Sequence, residues 1–212
     1  MPVLSGLSYH RLKRWLDVSL AALLLAVLLP LMAGLSVLIL IDSGFPIFFR
    51  QTRIGYQGAS FELFKFRTLH PGRHNPATPQ HHTTRVGRIL RRWGLDELPQ
   101  LWNVLRGEMS LVGPRPTIPE QVARYTPEER RRLEALPGLT GWAQVHGRNA
   151  LTWPERIAFD CWYVEHMNFW LDLSILIKTP VELVSGNGTY GSKGYNMDLR
   201  TEDSLAPPKT PQ

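Results

Sequence analysis

The chain has 212 residues, a formal charge of +6 and a single cysteine. That length allows one catalytic domain and one further element rather than two full domains, and the lone Cys161 excludes an intramolecular disulfide and the Cys-rich zinc patterns, which fits a reducing compartment. The positive charge calls for an anionic partner without choosing among nucleic acid, phospholipid headgroups and a phosphorylated substrate.

The first element is an uncharged run of 24 residues, Val18 to Ile41. As a straight helix it would reach ~36 Å at ~1.5 Å per residue, enough to cross a bilayer. It is longer than a signal-peptide core, and no small-x-small cleavage site follows it before Asp42. Pro30 lies in its middle and predicts a bend there, with two arms of ~17 Å, each about one leaflet deep. Arg11, Lys13 and Arg14 precede the run, and Arg50, Arg53, Lys65 and Arg67 follow it. Basic residues on both flanks place both ends on the cytoplasmic side, which favours a re-entrant hairpin over a kinked span. Asp17 at the mouth of the run is read as a partner of Arg14 or a helix cap.

Pro46 to Arg53, then Gly55 and Gly58, then the alternating Phe61 to Phe66 read as a β-hairpin. His70 to Thr83 holds three prolines and a glycine and reads as a mobile loop. Its His70, His74, His81 and His82 have no helix to present them at ligand spacing and no neighbouring cysteines, so they are read as solvated. Arg85, Arg88 and Arg91, joined by Arg92, recur on one helical face, which suits either phosphates or plain solvation. Leu98, Leu101, Trp102 and Leu105 predict a helix that Asp96 or Glu97 opens and Gly107 ends. Capping boxes at Thr126–Glu129 and Thr152–Glu155 open two more helices, the first running through Leu136. Phe169 to Val184 is amphipathic, with Lys178 and Glu182 on its polar side, and suits an interfacial or core-packed helix. Cys161, beside Trp162 and Tyr163, reads as an inert buried thiol.

Asp96 and Glu97 are adjacent carboxylates preceded by arginines and followed, one helix later, by Gly113-Pro114-Arg115-Pro116. A basic domain with paired carboxylates, several arginines and no histidine base suits phosphoryl transfer, which needs placement and charge neutralisation more than proton transfer. An ionised aspartate needs only to be held in line with phosphorus to act as a nucleophile, while a second carboxylate can hold Mg²⁺. The first backbone N–H groups of a helix beginning there would add donors for a phosphate. Gly138, Gly141 and Gly147 with Arg148 read either as a wrap for a nucleotide or as a structural turn, and Trp142 as a packing or stacking residue.

Taken together these residues carry a resemblance. Lys13-Arg14-x-x-Asp17, Pro30, Phe49-x-Gln51-x-Arg53-x-Gly55, Lys65-Phe66-Arg67-Thr68, Leu95-Asp96-Glu97-Leu98-Pro99-Gln100-Leu101-Trp102-Asn103-Val104, Gly113-Pro114-Arg115-Pro116 and Pro137-Gly138-x-Thr140-Gly141-Trp142-Ala143-Gln144-Val145 stand in order along nearly the whole chain. The sequence resembles the monotopic polyprenyl-phosphate phosphoglycosyl transferases of the bacterial sugar transferase family. That resemblance implies a re-entrant helix bent at proline and a ping-pong reaction through a phosphosugar on Asp96. It also implies Mg²⁺ on Glu97 with Asp96 beside it, phosphate binding by Lys65, Arg67, Arg91 and Arg115, and nucleotide contacts from Gly141, Gln144 and Arg148. Two departures are visible: Leu29 stands where members often have Ser before the proline, and Trp93-Gly94 replaces a Ser-Leu type of run before the catalytic pair.

The expected fold class is α+β and mainly helical, with a re-entrant membrane hairpin (1–44), a cytoplasmic catalytic domain (45–186) carrying a small β-hairpin and interfacial amphipathic helices, and a poorly ordered tail (187–212). The implied activity is transfer of a sugar-1-phosphate from a UDP-sugar to polyprenyl phosphate with release of UMP, as the first membrane step of glycan synthesis on the cytoplasmic face of the bacterial inner membrane. The implied partners are the UDP-sugar, the polyprenyl phosphate and membrane lipid, with no nucleic acid and a homodimer left open. The competing readings are a membrane-tethered nucleic-acid-binding module, a Mg²⁺-dependent lipid phosphate hydrolase and an inert scaffold.

Overall fold

The computed structural model describes residues 6–70, 82–147 and 150–185. The tail 187–212, Arg148, and the part of the Pro-rich loop with His74 and His81 lie outside them. The apolar run is one helix, α1 (Gly6–Ser43), with Pro30 inside it. The sequence predicted a bend there, and the helix runs through it without interruption. A proline removes one hydrogen bond and crowds one turn, and here the helix is held on both sides of that turn. Ala21 is fully buried, with Leu24, Leu25 and Leu28 beside it, against one core cluster, while Leu35 and Ile39 are buried in a second. The opposite face exposes Leu23, Val27, Leu29, Val37, Leu38 and Ile41. Only 11% of the most apolar window is buried, so this helix is no ordinary core helix.

Beyond α1 the hairpin appears where alternation predicted it: β1 (Phe48–Ile54) pairs antiparallel with β2 (Ser60–Phe66), Phe49 opposite Lys65. Helix α2 (Arg85–Trp93) follows, capped by Thr84, whose hydroxyl accepts from the Gly87 N–H at 2.8 Å. Asp42 at the end of α1 accepts the next free donor of that turn, the Val86 N–H, at 3.0 Å. A 3₁₀ turn (Leu95–Glu97) then leads into α3 (Gln100–Arg106), which Gly107 ends as predicted. The carboxylate pair therefore sits in the turn between two helices rather than at the head of α3. The reason is Pro99, which caps α3 and pushes its start to Gln100.

Sequence periodicity gave no sign of β3 (Ser110–Val112) and β4 (Gly138–Thr140), a two-stranded parallel sheet of three residues each. Between them lie α4 (Pro119–Val122) and a 3₁₀ helix, Glu129–Glu134. The Thr126 box forms, with Thr126 N–H on Glu129 at 2.9 Å, yet it opens this 3₁₀ helix and not the α-helix expected through Leu136. The Thr152 box opens α5 (Trp153–His166) as predicted. The described residues close with α6 (Phe169–Ser185), which buries Asp172 and Ile175 and exposes Trp170, Ile177, Val181 and Val184. Cys161 is half-buried and free, its thiol 3.8 Å from the Glu128 carbonyl.

Polar side chains lock α1 to this domain. Asp172 of α6 accepts from Tyr9 at 2.7 Å, from Lys13 and from Tyr163 at 2.7 Å. Asp17 accepts from the Ser110 hydroxyl at 2.7 Å and the Leu111 N–H at 3.1 Å, and not from Arg14. Arg14 instead caps α3, donating to the carbonyls of Val104 and Leu105 at 2.7 and 3.0 Å. Asp172→Ala would leave the Lys13 ammonium and the buried Tyr9 hydroxyl without their acceptor and Tyr163 with only the Val112 carbonyl, a loss of about 3 kcal/mol or more. A thermal unfolding scan in detergent should show Tm lower by roughly 6–12 °C.

Candidate active site

The 3₁₀ turn exists because Gly94 adopts φ +66°, a left-handed conformation that ends α2 and swings Asp96 inward. Asp96 is buried, at 8% exposure, while Glu97 beside it is half-buried. Burial, and then the adjacent Glu97, push the Asp96 carboxyl up to about 6, while Lys65, Arg91 and Arg115 pull it back.

Three of the predicted cations gather here. Arg115 grips Glu97 with two N–H donors, at 2.7 and 3.5 Å. Lys65, brought over from β2, acts on both carboxylates; burial pulls its ammonium below its ordinary value, and Asp96 and Glu97 hold it up. Arg91 on α2 is oriented by Thr68, whose hydroxyl accepts from its Nε at 2.8 Å. The fourth, Arg67, is not part of the cluster. Its guanidinium donates to the carbonyls of Ser43, Gly44 and Phe45 and to the Ser43 hydroxyl, so it fastens the turn after α1. Arg85, Arg88 and Arg92 lie on the exposed face of α2.

Of the two readings of the glycine segment, a nucleotide wrap or a structural turn, Gly141 follows the structural one. A Cβ on Gly141 would lie 2.1 Å from the Gly113 carbonyl oxygen, so this glycine lets two backbones touch and leaves no room for a ligand on that side. Its neighbour Gln144 keeps the predicted availability: neither amide atom has a hydrogen-bond partner among the described residues, and the side chain lines a cleft of about 240 Å³ together with Glu97 and Arg115. Trp142 is a packing residue, stacked on Trp162 with ring centroids 4.9 Å apart and covered by Lys178 at 5.4 Å.

Sequence reading missed the residues that hold Arg115 in place. Arg132 donates to the Arg115 carbonyl at 3.0 Å and is ion-paired with Asp160, both side chains 1% exposed. Arg53 holds the next carbonyl, Pro116, at 3.2 Å. Arg132 stands in a run of three arginines that looks like a solvated face, and nothing in the sequence separates it from Arg130 and Arg131.

Two carboxylates ringed by cations, one of them buried and exposed to its neighbour's charge, fit a divalent ion. Among the described residues no group of three or more His, Cys, Asp or Glu converges, so an ion here would take at most two protein carboxylates and complete its shell from substrate oxygens and water, as Mg²⁺ does. The site can hold a diphosphate by charge and offer it an anionic oxygen.

For the apo protein, the raised Asp96 carboxyl means that the folded state binds this proton more tightly than the unfolded chain, so this group's contribution to stability falls as pH rises from about 3.8 to about 6. If ionised Asp96 is the attacking group, UMP release from donor alone should fall about tenfold per pH unit below about 6 and level off above it. A stopped assay between pH 4.5 and 8 measures this, and a flat profile would contradict the assigned nucleophile.

Residues 8–186 match the family described as bacterial sugar transferase. The chain is 41% identical over 180 residues to the sugar transferase EpsL of Bacillus subtilis, an alignment covering 84% of this chain and 89% of that one. It is 44% identical over 191 residues to a UDP-glucose:undecaprenyl-phosphate glucose-1-phosphate transferase of Caulobacter vibrioides, covering 84% and 72%. Against the undecaprenyl-phosphate galactose phosphotransferase of Salmonella typhimurium the identity is 36% over 199 residues, covering 84% of this chain and 42% of that longer protein. With the Asp96–Glu97 turn, its cations and the apolar helix in place, the chain belongs to the bacterial sugar transferase family.

Proposed function

We propose that this protein transfers a sugar-1-phosphate from a UDP-sugar to undecaprenyl phosphate and releases UMP. The observation that carries the reading is the buried Asp96 beside Glu97, among Lys65, Arg91 and Arg115. The names of two relatives support the same donor and acceptor chemistry: one is a UDP-glucose:undecaprenyl-phosphate transferase and the other an undecaprenyl-phosphate galactose phosphotransferase.

Asp96 attacks the phosphorus that bears the sugar, its carboxylate oxygen forming the new P–O bond as the bond to UMP breaks and UMP leaves with the electron pair. An oxygen of the lipid phosphate then attacks the same phosphorus, the aspartyl bond breaks, and Asp96 is regenerated as the lipid-linked diphosphate sugar forms. Arg115, Lys65 and Arg91 hold the phosphate oxygens in line and balance their charge. Glu97, with Asp96 beside it, would hold the Mg²⁺ that neutralises the diphosphate. Asp96→Asn should abolish both UMP release and the mass increase of one phosphosugar seen by intact-protein mass spectrometry with donor alone. Free phosphate as the product would point to a hydrolase, and wild-type UMP release by the variant would remove Asp96 from the mechanism.

The same reading places α1 in the inner membrane as a re-entrant element with the catalytic domain on the cytoplasmic face. Its support is that both ends of α1 are tied to one domain, Tyr9 and Lys13 through Asp172, Asp42 and Ser43 through α2 and Arg67. A helix spanning the ~30 Å hydrocarbon core would carry one of these two ties to the far side of the membrane from the domain. Single cysteines at positions 10 and 45 in a Cys161→Ser background should both react with an impermeant maleimide from the same side of sealed vesicles. Labelling from opposite sides would make α1 a span.

A further inference from the structure

The cleft beside Glu97 and Arg115 extends away from the chemistry. Its walls are Leu20 and Leu24 of α1 and Leu176 and Leu183 of α6. A second cavity of about 70 Å³ shares Leu20, Leu111 and Leu176 with it and continues between Leu16 of α1 and Leu173 of α6. Leu16, Leu20 and Leu24 recur every four residues, so they line one face of α1. Across from them Leu173, Leu176, Pro180 and Leu183 recur every three or four residues along α6. The two stripes bound a leucine-walled slot whose polar groups include the paired Glu97 and Arg115 and the unpartnered amide of Gln144.

Protein interiors hold few voids larger than a water molecule, so a slot of this length between two helices is not a packing defect. The far cavity also meets Lys13, Asp17 and Asp172, but these are engaged with one another and with Tyr9, Ser110, Leu111 and Tyr163, so a ligand entering at Arg115 would be charged there and hydrocarbon beyond, along the leucines. A sugar nucleotide is polar throughout, and although Thr140, Gln144, Thr179 and Glu182 also line the cleft, a pyranose pushed along the leucines beyond them would bury hydroxyls without partners, which is costly. A lipid phosphate matches both ends, with an anionic head for Arg115 beside Asp96 and an apolar chain for the leucines.

We infer that the slot between α1 and α6 holds the first isoprene units of the acceptor, with its phosphate at Arg115 and the Gln144 amide. This rests on the transferase reading above and adds where the acceptor lies. It divides the site: donor chemistry needs Asp96, Glu97 and the cations, while acceptor affinity also needs the leucine walls.

The test fills the slot in the full-length protein with Leu24→Trp and, separately, Leu176→Trp. With UDP-sugar alone, UMP release and adduct yield should stay within twofold of wild type. With undecaprenyl phosphate the KM should rise tenfold or more, and a short, water-soluble alkyl phosphate acceptor should be affected much less. A loss of adduct equal to the loss of transfer in a variant that stays folded would assign the slot to the donor, and an unchanged KM would leave it no role; either result overturns the inference. Since a tryptophan can prevent folding, wild-type protein is also photolysed with a polyprenyl phosphate bearing a benzophenone near its phosphate. Cross-links mapping to Leu16–Leu24 and Leu173–Leu183 are expected, and cross-links confined to other segments refute the slot. If wild type makes neither adduct nor UMP, the transferase reading fails instead, independently of the cross-linking result.

Discussion

A carboxylate in the wall of an apolar helix is stable only where something donates to it, and α1 carries such a group at Asp17. Its donors, the Ser110 hydroxyl and the Leu111 N–H, belong to β3, a strand of three residues deep in the catalytic domain. Asp172 repeats the arrangement from the other side, accepting from Tyr9 and Lys13 of α1 and from Tyr163 of α5. These charge-assisted contacts are directional, unlike the leucines around them, so they set the rotation and register of α1 on the domain. The β3 that α1 grips leads directly into the Gly113–Pro116 segment. The apolar helix and Arg115 thus share one support.

That support is built for rigidity. Backbone touches backbone at Gly113 and Gly141, and two guanidinium groups, from Arg53 and Arg132, hold successive carbonyls on either side of the Arg115–Pro116 bond. Burying Arg132 is acceptable because Asp160 neutralises it and Tyr125 receives another of its donors. Arg115 therefore begins from a fixed backbone, and only its side chain remains to adapt between Glu97 and a phosphate. Asp96 gains its position differently, from a left-handed glycine and a proline that keep the turn out of both neighbouring helices.

Much of this was legible in the sequence because it rests on local rules. The β-hairpin, α2, α5 and α6 follow from alternation, helical spacing and caps, and the Asp96–Glu97 pair with Lys65, Arg91 and Arg115 was identifiable through ordered motifs. What stayed hidden depends on long-range partners. Arg67 and Arg91 are both arginines near basic company, and only the fold shows one tied to the end of α1 and the other facing the carboxylates. Three-residue strands such as β3 and β4 leave too little alternation to detect, and their pairing spans the whole 110–140 region. Gly141 looked like a ligand loop because close backbone approach selects glycine whether the neighbour is a phosphate or another strand.

The clasp at Asp172 also bears on how the molecule is made. Lys13 and its partner are 159 residues apart. At ~5–20 residues per second a ribosome needs roughly 8 to 30 s to travel between them. Partners of Leu35 and Ile39 such as Phe66 and Leu90 emerge early in that interval, whereas the acceptor for Tyr9 and Lys13 comes only at its end. A nascent helix this apolar has to be sheltered by bilayer or chaperone, and the clasp that sets its rotation closes only when Asp172 of α6 emerges. Biogenesis is thereby ordered, with the leucine packing of α1 possible early and its directional contacts to α6 possible last.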